Sequence, residues 1–490
     1  MKILHASAEY FPYIKMGGLA DMLASLTNSQ TSGDSVAVAL PLLANLGKKP
    51  EFTGKSIPCF LPHSEKSLQK TPAFTPPSRL AQNLHCQILA ESFFREATDG
   101  KVLLYFFDSP LFRDFSTIYG NPDEHYRFAH FSYACYELSQ TLGVDVFHAH
   151  DWHAALGTAF QKVSETPIPS VFTIHNLAYQ GDHPIWMTGF LKEVPFGLIP
   201  SSYDHDGKNN YMKAGILSAN QITTVSPSYR NETLAEPNGF GLSSLLQKRN
   251  EDYTGILNGI DPTEWNPETD AKIHFPFGKS NWEEGKEKNK SFLLDQLERP
   301  GFGLQNPLVG LIGRLTYQKG FRTFIDTFHM RNHLPLRYVV LGSGDENLEN
   351  ELFALSDSFQ DKFYFYKGYN EGLAHQIEAA SDFFLMPSLF EPCGLNQMYS
   401  QMYGTIPIVS RVGGLSDTVS ESLDLKYKTG IVFEPNDVRS LGYALERAVT
   451  VFSSEEKNTI IQTIMELDWS WELRKKEYKS VYKKAIEEML

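Results

Sequence analysis

Short apolar runs recur along the chain, and most of them end in small or polar residues that lead into a helix-like stretch. This pattern is typical of parallel strands that are buried on both faces between helices. In the first half the runs occupy residues 3–6, 102–107, 144–148, 171–174 and 222–225. In the second half they occupy residues 308–312, 338–341, 363–366, 383–386, 406–409 and 431–433. Two doubly wound α/β units are the simplest interpretation.

The two series of runs are separated by residues 258–306, which are rich in Pro, Asn, Lys and Glu and show only a modest helical pattern. We therefore predict a first Rossmann-like domain over residues 1–254 and a second one over residues 255–469. The last segment carries Tyr478, Tyr482 and Ala485 at helical spacing, which predicts an amphipathic helix. We expect this helix, within residues 470–490, to cross back and complete the first domain.

In open α/β sheets, ligands bind beyond the carboxyl ends of the strands, where loops and helix N-termini converge. Two such units that face each other enclose a cleft. The residues that directly follow each predicted strand are therefore the candidates for binding and chemistry.

Lys15, Gly17 and Gly18 follow the first predicted strand and open a helix-like run that includes Asp21. Paired glycines let the backbone approach a ligand closely, the helix start offers N–H groups, and the lysine adds a cation. These features suit a donor that carries phosphate. The alternative is a plain strand-to-helix turn with a solvated lysine.

Arg314 and Lys319 follow the first strand of the second predicted domain, on a turn that enters a helix. Two cations at this spacing can converge on one diphosphate, and the arginine can bind it in bidentate fashion. The alternative is that both are ordinary surface charges. Their position at the carboxyl end of a strand favours binding.

Glu391, Cys393 and Gly394 lie after another strand of the second domain and before a helix. A carboxylate there can accept hydrogen bonds from sugar hydroxyls or stabilise developing positive charge. The alternative is that Glu391 caps the helix.

After the next strand, Gly413, Gly414 and Leu415 could present N–H groups to the same diphosphate, although a structural glycine turn has the same sequence signature.

The segment from His148 to His153 contains three imidazoles and the carboxylate of Asp151, as a metal cluster does. In a strand, however, His148 and His150 point to one face while Asp151 faces away, and the distant ligand of structural zinc sites is missing. We therefore expect no metal and assign Asp151 to a sugar-binding rim.

His175 directly follows a strand and could touch the donor sugar, although a lone histidine is more often structural.

The chain has 490 residues, with 58 acidic against 44 basic side chains and a formal net charge of −14. This charge would repel an extended phosphate backbone, so nucleic acid is not an expected partner. A neutral polysaccharide meets no such repulsion. A nucleotide diphosphate needs a few cations concentrated in one cleft, as the segments above provide.

The four cysteines, Cys59, Cys86, Cys135 and Cys393, lie far apart and form no CxxC pair. This spacing indicates neither a disulfide framework nor a zinc site. The N-terminal segment is broken by polar residues before a signal-peptide core forms, and no membrane-spanning run follows. We expect a cytoplasmic protein that has no membrane partner.

Taken together, these segments resemble the bacterial glycogen synthase and plant starch synthase family over nearly the whole chain. The order of the motifs is more specific than any one of them. The matching stretches are KMGGLAD from Lys15, HAHDWHA from His148, FTIHNLAYQG from Phe172, ILNGID from Ile256, GRLTYQKG from Gly313, PSLFEPCGLNQMY from Pro387 and VGGLSDTV from Val412.

The resemblance implies a GT-B fold of two Rossmann-like domains, ADP-glucose as donor, an α-1,4-glucan such as glycogen as acceptor, and neither a metal ion nor an organic cofactor. By the same resemblance, Arg314 and Lys319 look like the diphosphate clamp, with Lys15 reaching the donor from the opposite domain. His175 and Glu391 look like contacts to the transferred glucose. The further sugar-site residues that it implies are Asp151, Asn258 and Tyr119.

One departure and several alternatives stay open. The wider GT-B superfamily often has a second glutamate eight positions after the first, where it holds the ribose, and this chain has Tyr399 there. Spacing alone does not separate ADP-glucose from UDP-glucose, and a non-catalytic glycan-binding homologue is the alternative from another class. A dinucleotide-dependent dehydrogenase is disfavoured because Gly342 and Gly344 lack the third glycine of its fingerprint. A pyridoxal phosphate-dependent phosphorylase typically has a much longer chain.

Overall fold

The computed structural model describes residues 1–59, 92–192 and 197–489. The chain forms two compact units. Unit 1 comprises Met1–Val225, Arg230–Gly259 and Trp471–Leu490, and unit 2 comprises Ser226–Tyr229 and Ile260–Ser470. The sequence-based junction between residues 254 and 255 therefore falls inside unit 1.

Unit 1 is built on a nine-stranded sheet in the order β12-β11-β7-β6-β1-β2-β5-β4-β3. Its strand pairs are parallel except for β5–β4 and β4–β3, so that β4 alone runs opposite to the other strands of the sheet. A separate three-stranded sheet has the order β8-β10-β9. The strands are β1 (Lys2–Ala6), β2 (Ser35–Pro41), β3 (Phe52–Pro58), β4 (Phe93–Asp99), β5 (Val102–Asp108), β6 (Val146–His150), β7 (Ser170–Ile174), β8 (Asp182–Pro184), β9 (Asp204–His205), β10 (Lys208–Asn210), β11 (Gln221–Thr224) and β12 (Tyr253–Gly255).

Unit 2 is built on a six-stranded parallel sheet in the order β15-β14-β13-β16-β17-β18. Its strands are almost continuously apolar, as expected where helices cover both faces of a sheet. They are β13 (Leu308–Ile312), β14 (Arg337–Gly342), β15 (Phe363–Lys367), β16 (Phe383–Met386), β17 (Ile406–Ser410) and β18 (Ile431–Phe433).

The described α-helices alternate with the strands of both main sheets. In chain order they are α1 (Gly18–Gln30), α2 (Glu124–Leu142), α3 (Asp151–Val163), α4 (Tyr211–Ser218), α5 (Pro227–Glu232), α6 (Ser243–Lys248), α7 (Trp282–Gln296), α8 (Phe321–Arg331), α9 (Glu346–Ser358), α10 (Glu371–Ala380), α11 (Asn396–Met402), α12 (Gly413–Thr418), α13 (Val438–Phe452), α14 (Glu456–Ile464) and α15 (Trp471–Glu487).

The C-terminal helix α15 belongs to unit 1, where it packs on α1 and on the strands β6, β7 and β11. Its apolar side chains, including Tyr478, Val481 and Tyr482, are buried against these elements. The predicted return of this helix to the first domain is confirmed.

In each main sheet the chain crosses from one side of its first strand to the other, and this reversal marks the point where ligands bind in doubly wound folds. In unit 1 the chain leaves β1 toward β2 and later returns to β6 on the other side of β1. In unit 2 the same reversal separates β13 from β16. The loops after β1, β6, β13 and β16 are therefore the positions at which this fold places a site.

Most of the predicted strands are confirmed, and the main errors lie in unit 1. The strand that includes His148 runs to His150, two residues beyond its predicted end, so both imidazoles lie within it. No prediction covered β2, although its sequence SVAVALP is strongly apolar. Unit 1 extends past residue 254 because β12 pairs with β11 and keeps the chain up to Gly259 in the first unit.

Among the described cysteines, Cys59, Cys135 and Cys393 are buried and free of disulfides. Cys86 lies outside the described residues. In the described part of the chain, no helix has the length and apolar composition required to cross a bilayer.

Candidate active site

The clearest pair of predicted site residues in unit 2 is Lys319 and Glu391. Lys319 follows β13, Glu391 follows β16, and the two loops flank the reversal point of the sheet. The Lys319 ammonium donates to Glu391 Oε2 at 2.6 Å, and the Ser388 hydroxyl donates to the same oxygen at 2.9 Å. The Glu391 side chain is only 7 % exposed, so its charge is balanced inside the protein by Lys319.

Glu391 does not act as a helix cap. Helix α11 begins at Asn396 with Leu395 at its N-cap, and that position makes no side-chain capping bond. The carboxylate of Glu391 instead binds Lys319 and Ser388. The alternative that Glu391 caps the helix is therefore wrong.

The glycine pair after β17 allows two backbone segments to approach each other. A Cβ atom on Gly413 would lie 2.0 Å from the Glu391 carbonyl oxygen, and one on Gly414 would lie 2.2 Å from that of Cys393. The Gly414 N–H donates to the Glu391 carbonyl, and the Leu415 N–H donates to that of Val412. These two N–H groups thus already have partners within the chain, and a direct substrate contact from this loop stays a prediction.

The neighbouring predicted residues support the same loop. Cys393 is 4 % exposed, and the Gln397 amide nitrogen donates to the carbonyl oxygens of Cys393 and Gly394 at 3.1 Å each. Leu415 is completely buried in an apolar cluster with Phe384 and Met386. The side chain of Leu415 therefore serves packing.

Arg314, the other predicted member of the clamp, directly follows β13 and has an exposed side chain. Among the described residues, it makes no hydrogen bond or ion pair to another predicted site residue. Ligand binding by its guanidinium stays a prediction.

Tyr399 occupies the position where related enzymes often have a second glutamate. Its ring stacks on Trp265 with centroids 4.0 Å apart, and Trp265 stacks in turn on His375 at 3.7 Å. The tyrosine is 6 % exposed. This position therefore contributes to aromatic packing in unit 2.

In unit 1, a glutamate that is not among the predicted site residues organises the loop after β1. Glu9 Oε2 accepts hydrogen bonds from the N–H groups of Met16 at 2.7 Å and Gly17 at 2.9 Å. Glu9 Oε1 accepts one from the Tyr119 hydroxyl at 2.7 Å. The buried carboxylate of Glu9 thus joins the glycine loop to Tyr119. Its position shortly after the first predicted strand was the sequence signal that could have identified Glu9.

The same loop contains Lys15 and the start of helix α1. The Lys15 ammonium pairs with Asp21 at 2.9 Å and lies 4.9 Å from the ring centroid of Phe11. Gly17 is the N-cap of the helix, and a Cβ atom added to it would meet no atom within 4 Å. The space beside the glycine is open, as a loop that a ligand approaches requires.

Asp151 begins helix α3 directly after β6, with a positive φ of 54°. Its Oδ1 accepts hydrogen bonds from the backbone N–H groups of His175 at 2.7 Å and Asn176 at 3.4 Å. Burial raises the pKa of Asp151 to about 7, against the opposing effect of these two donors. The predicted neighbours Asp151 and His175 are thus held together by the backbone.

The imidazoles of His153 and His175 in unit 1 are buried and uncharged near neutral pH. Burial lowers the pKa of His175 to about 3 and that of His153 to about 3. His175 Nε2 lies 2.9 Å from His150 Nδ1, and His153 stacks on Tyr119 at a centroid distance of 4.9 Å. These rings can hydrogen-bond hydroxyl groups without carrying charge.

Asn258 follows β12 and is 5 % exposed. Its Oδ1 is buried and has no hydrogen-bond partner among the described residues. A buried acceptor in this state is costly unless a ligand or water satisfies it. The described contacts do not join Asn258 to the other predicted site residues.

Comparison with known proteins finds sequence similarity along nearly the whole chain. Residues 2–248 match the family model of the starch synthase catalytic domain, and residues 295–461 match that of group 1 glycosyl transferases. Glycogen synthase from Leptospira biflexa is 66 % identical over 487 residues, which cover 99 % of each chain. Glycogen synthase from Bacillus subtilis is 34 % identical over 511 residues, which cover 99 % of this chain and 98 % of the relative.

Among solved structures, the catalytic domain of starch synthase IV from Arabidopsis thaliana, bound to ADP and acarbose, superimposes with a TM-score of 0.86. It is 29 % identical and covers 99 % of both chains. Together with the two doubly wound sheets and the charged pair at a reversal point, these matches define a glycosyltransferase of the GT-B fold. The chain belongs to the glycogen synthase and starch synthase family and is a glucosyltransferase. The predicted family and fold class are confirmed.

Proposed function

We propose that the enzyme transfers glucose from ADP-glucose to the non-reducing end of an α-1,4-glucan, with retention of the α configuration. Its substrates are a nucleotide sugar and a glucan, as the names of its relatives indicate. The observation that carries the proposal is the Lys319–Glu391 pair, which lies between the loops after β13 and β16.

Cleavage of the bond between glucose C1 and the diphosphate develops positive charge on the sugar ring and negative charge on the leaving phosphate. We assign Lys319 and Arg314 to the leaving diphosphate, because fixed cations stabilise such charge without reorganisation. Glu391 holds the Lys319 ammonium in place and provides negative charge for the developing sugar cation. Ser388 fixes the carboxylate that makes this arrangement possible.

The 4-hydroxyl oxygen of the acceptor then forms the new bond to C1 on the face that the leaving group vacates. The C1–O bond to the diphosphate breaks, and its electron pair stays with ADP. A phosphate oxygen of the leaving ADP takes the hydroxyl proton. Attack on the vacated face preserves the α configuration.

The predicted residues of unit 1 receive separate roles in this proposal. We assign Lys15, Gly17, Gly18 and Asp21 to donor binding. The open space beside Gly17 and the Glu9-supported loop favour that assignment. The sugar contacts that we propose are His175, Asp151, Tyr119 and Asn258.

Adenine as the donor base is supported by the family and by the starch synthase relative, whose solved structure contains ADP. A competition assay with ADP-glucose and UDP-glucose on a glycogen primer tests this choice. We expect incorporation from ADP-glucose to dominate. Equal or preferential incorporation from UDP-glucose would overturn the proposed donor.

A non-catalytic glycan-binding homologue is the alternative from another class. Release of ADP from ADP-glucose that depends on glycogen separates the two, because a binding protein binds glycogen without releasing nucleotide.

Proton NMR of the elongated product tests whether the α configuration is retained, which requires new α-anomeric signals only.

We also propose a cytoplasmic location, which is supported by the three described cysteines, since all three are buried and none forms a disulfide. Cell fractionation with a cytoplasmic marker enzyme tests it. Recovery with a periplasmic or membrane marker would contradict it.

A further inference from the structure

A chain of hydrogen bonds runs inward from His175 through the interior of unit 1. His175 Nε2 lies 2.9 Å from His150 Nδ1, and His150 Nε2 lies 3.0 Å from His5 Nδ1. His5 Nε2 lies 2.9 Å from the side-chain oxygen of Gln30. These contacts connect the end of β7, through β6 and β1, to the last residue of helix α1.

The chain continues through the C-terminal helix and returns to the sheet. The Gln30 amide nitrogen donates to the Tyr482 hydroxyl at 3.0 Å, and this hydroxyl lies 2.9 Å from His148 Nδ1. His148 Nε2 lies 2.6 Å from the Thr173 hydroxyl, which lies 2.6 Å from that of Thr223. We call this set the histidine relay: His175, His150, His5, Gln30, Tyr482, His148, Thr173 and Thr223.

The interior of the relay is buried, and its histidines are satisfied by one another and by Gln30, Tyr482 and Thr173. His5, His148 and His150 are completely buried, and all six of their ring nitrogens have a hydrogen-bond partner at 3.0 Å or less. The same three histidines have the spacing of a possible metal cluster. However, ring nitrogens that point at each other or at Gln30, Tyr482 and Thr173 do not converge on a common ion.

A neutral imidazole donates from one nitrogen and accepts at the other, so each link of the relay fixes the next one. Gln30 sets the direction, because its oxygen faces His5 and its amide nitrogen faces Tyr482. His5 must then donate from Nε2 and accept at Nδ1. By the same rule, His150 and His175 also carry their protons on Nε2.

The other arm follows from the same starting point. The Tyr482 oxygen accepts from Gln30, so its proton is directed to His148 Nδ1. His148 therefore carries its proton on Nε2 and donates to Thr173. Every contact in the relay then has one donor and one acceptor, with no conflict.

We propose that Gln30 and Tyr482 are positioning residues that hold His175 in its Nε2–H tautomer and thereby present Nδ1 to the substrate as a hydrogen-bond acceptor. This inference rests on the proposed function, in which His175 contacts the transferred glucose. His175 retains 9 % exposure, and its Nδ1 has no hydrogen-bond partner among the described residues. It is therefore the open end of the relay.

An acceptor at this position suits the reaction. Donation from Nε2 into the relay increases electron density on the His175 ring, which strengthens Nδ1 as an acceptor for a sugar hydroxyl. A neutral, electron-rich ring also favours the positive charge that develops on the sugar during C1–O cleavage. An Nδ1–H donor would face that charge with its positive end.

The first test uses the full-length, unaltered protein labelled with [15N]histidine and deuterated elsewhere. Two-bond 1H–15N correlations distinguish the Nε2–H tautomer from the Nδ1–H tautomer and from the imidazolium. We expect His5, His148, His150 and His175 to be neutral Nε2–H tautomers at pH 7.5. An Nδ1–H tautomer at His5, His150 or His175 would overturn the proposal without any reference to activity.

The second test compares two substitutions of the same residue. Gln30→Met removes the acceptor for His5, so we expect a mixture of tautomers at His175 and a loss of about 2- to 12-fold in kcat/KM for ADP-glucose, the effect of one neutral hydrogen bond. Gln30→Glu keeps an acceptor toward His5 and should restore both the tautomer and the rate. Thr27→Val on the same helix is the matched control, because Thr27 is fully buried and bonds Tyr10 outside the relay.

The outcomes separate the relay from the proposed function. Wild-type tautomers and rates in Gln30→Met would overturn the positioning role, and so would a tautomer change that leaves kcat/KM unaltered. An equal loss of rate in Thr27→Val would also overturn it, because general loosening would then be the cause. If the unaltered protein releases no ADP from ADP-glucose, the proposed function fails, and the NMR result still decides the tautomers.

Discussion

The predicted site residues after β6 and β7 of unit 1 differ in electrostatics from those after β13 and β16 of unit 2, whereas the loop after β1 carries the charged pair of Lys15 and Asp21. Unit 1 presents buried imidazoles that burial keeps neutral, together with backbone-bound Asp151. Unit 2 presents the ion pair of Lys319 and Glu391 and the exposed guanidinium of Arg314. One doubly wound architecture can therefore supply either uncharged or charged groups at the ends of its strands.

We propose that this difference corresponds to the two halves of a nucleotide sugar. Hydroxyl groups are recognised by neutral donors and acceptors, and a buried charge without a partner would be costly there. A diphosphate carries negative charge that fixed cations stabilise strongly. We therefore assign the neutral groups of unit 1 to sugar recognition and the charged groups of unit 2 to the departing diphosphate.

The largest effect is expected from Lys319→Ala. Removal of one preorganised charge donor typically lowers the rate by about 10²–10³-fold, and we expect a loss of this size in kcat/KM. Steady-state ADP release on glycogen measures it. The control is Arg322→Ala, which removes an exposed cation that pairs with Glu351 on the same unit and should leave the rate unchanged. A near-normal rate in Lys319→Ala would refute the clamp.

Glu391→Gln is expected to have the next largest effect. The amide keeps the shape of the side chain and can still accept from Ser388, but it removes the negative charge next to Lys319. We expect a fall of about 10²-fold in kcat, the order typical for loss of one electrostatic group. Single-turnover kinetics with ADP-glucose measures it. A change confined to KM would show that Glu391 only binds the donor.

The buried histidines of unit 1 predict sensitivity to acid. Burial lowers the pKa of His125 to about 4, against a smaller opposing effect of Asp123. Below the ordinary histidine pKa of about 6.5, the unfolded chain binds a proton that the folded chain does not. Each such histidine therefore costs about 1.4 kcal/mol of stability for every pH unit between roughly 6.5 and 4.

His125→Phe should accordingly flatten the pH dependence of the unfolding free energy by about this amount in that window. Urea denaturation at several pH values, followed by intrinsic fluorescence, measures the slope. Above pH 6.5 the slopes of the variant and the unaltered protein should coincide. An unchanged slope below pH 6.5 would show that His125 is not held neutral by the fold.

The smallest effect is expected from Ser388→Ala. This substitution removes one hydrogen bond to the Glu391 carboxylate and leaves the contact with Lys319 in place. We expect kcat/KM to fall by about 10-fold, the scale of one hydrogen bond to a charged group. A loss as large as that of Lys319→Ala would mean that the serine contacts substrate directly.

The sequence predicted the second unit better than the first one. In unit 2 each apolar run corresponds to a strand of the parallel sheet, because continuous burial leaves an unmistakable pattern. In unit 1, β3 and β4 lie at an edge, where the exposed positions along both strands weaken the apolar signal. The end of β6 was misplaced because His148 and His150 are polar residues that the fold buries completely.

Lys319, Glu391 and His175 lie in loops that follow strands, and this position allowed the sequence to indicate them; their roles in a site stay a prediction. Supporting partners far away in the sequence were not predictable. Gln30 and Tyr482, which form one hydrogen bond, lie 452 positions apart, and a short motif search connects no such pair. Ser388 lies within a quoted motif, but its bond to Glu391 depends on the shape of the loop.

The most direct test of the division between neutral and charged groups is calorimetric titration of ADP into the unaltered enzyme, Lys319→Ala and His175→Ala. ADP carries the diphosphate but no transferred sugar. We expect Lys319→Ala to weaken ADP binding by about 10-fold or more, as loss of a hydrogen bond to a charged group does, and His175→Ala to leave it unchanged. Equal weakening in both variants, or weakening in His175→Ala alone, would contradict this division.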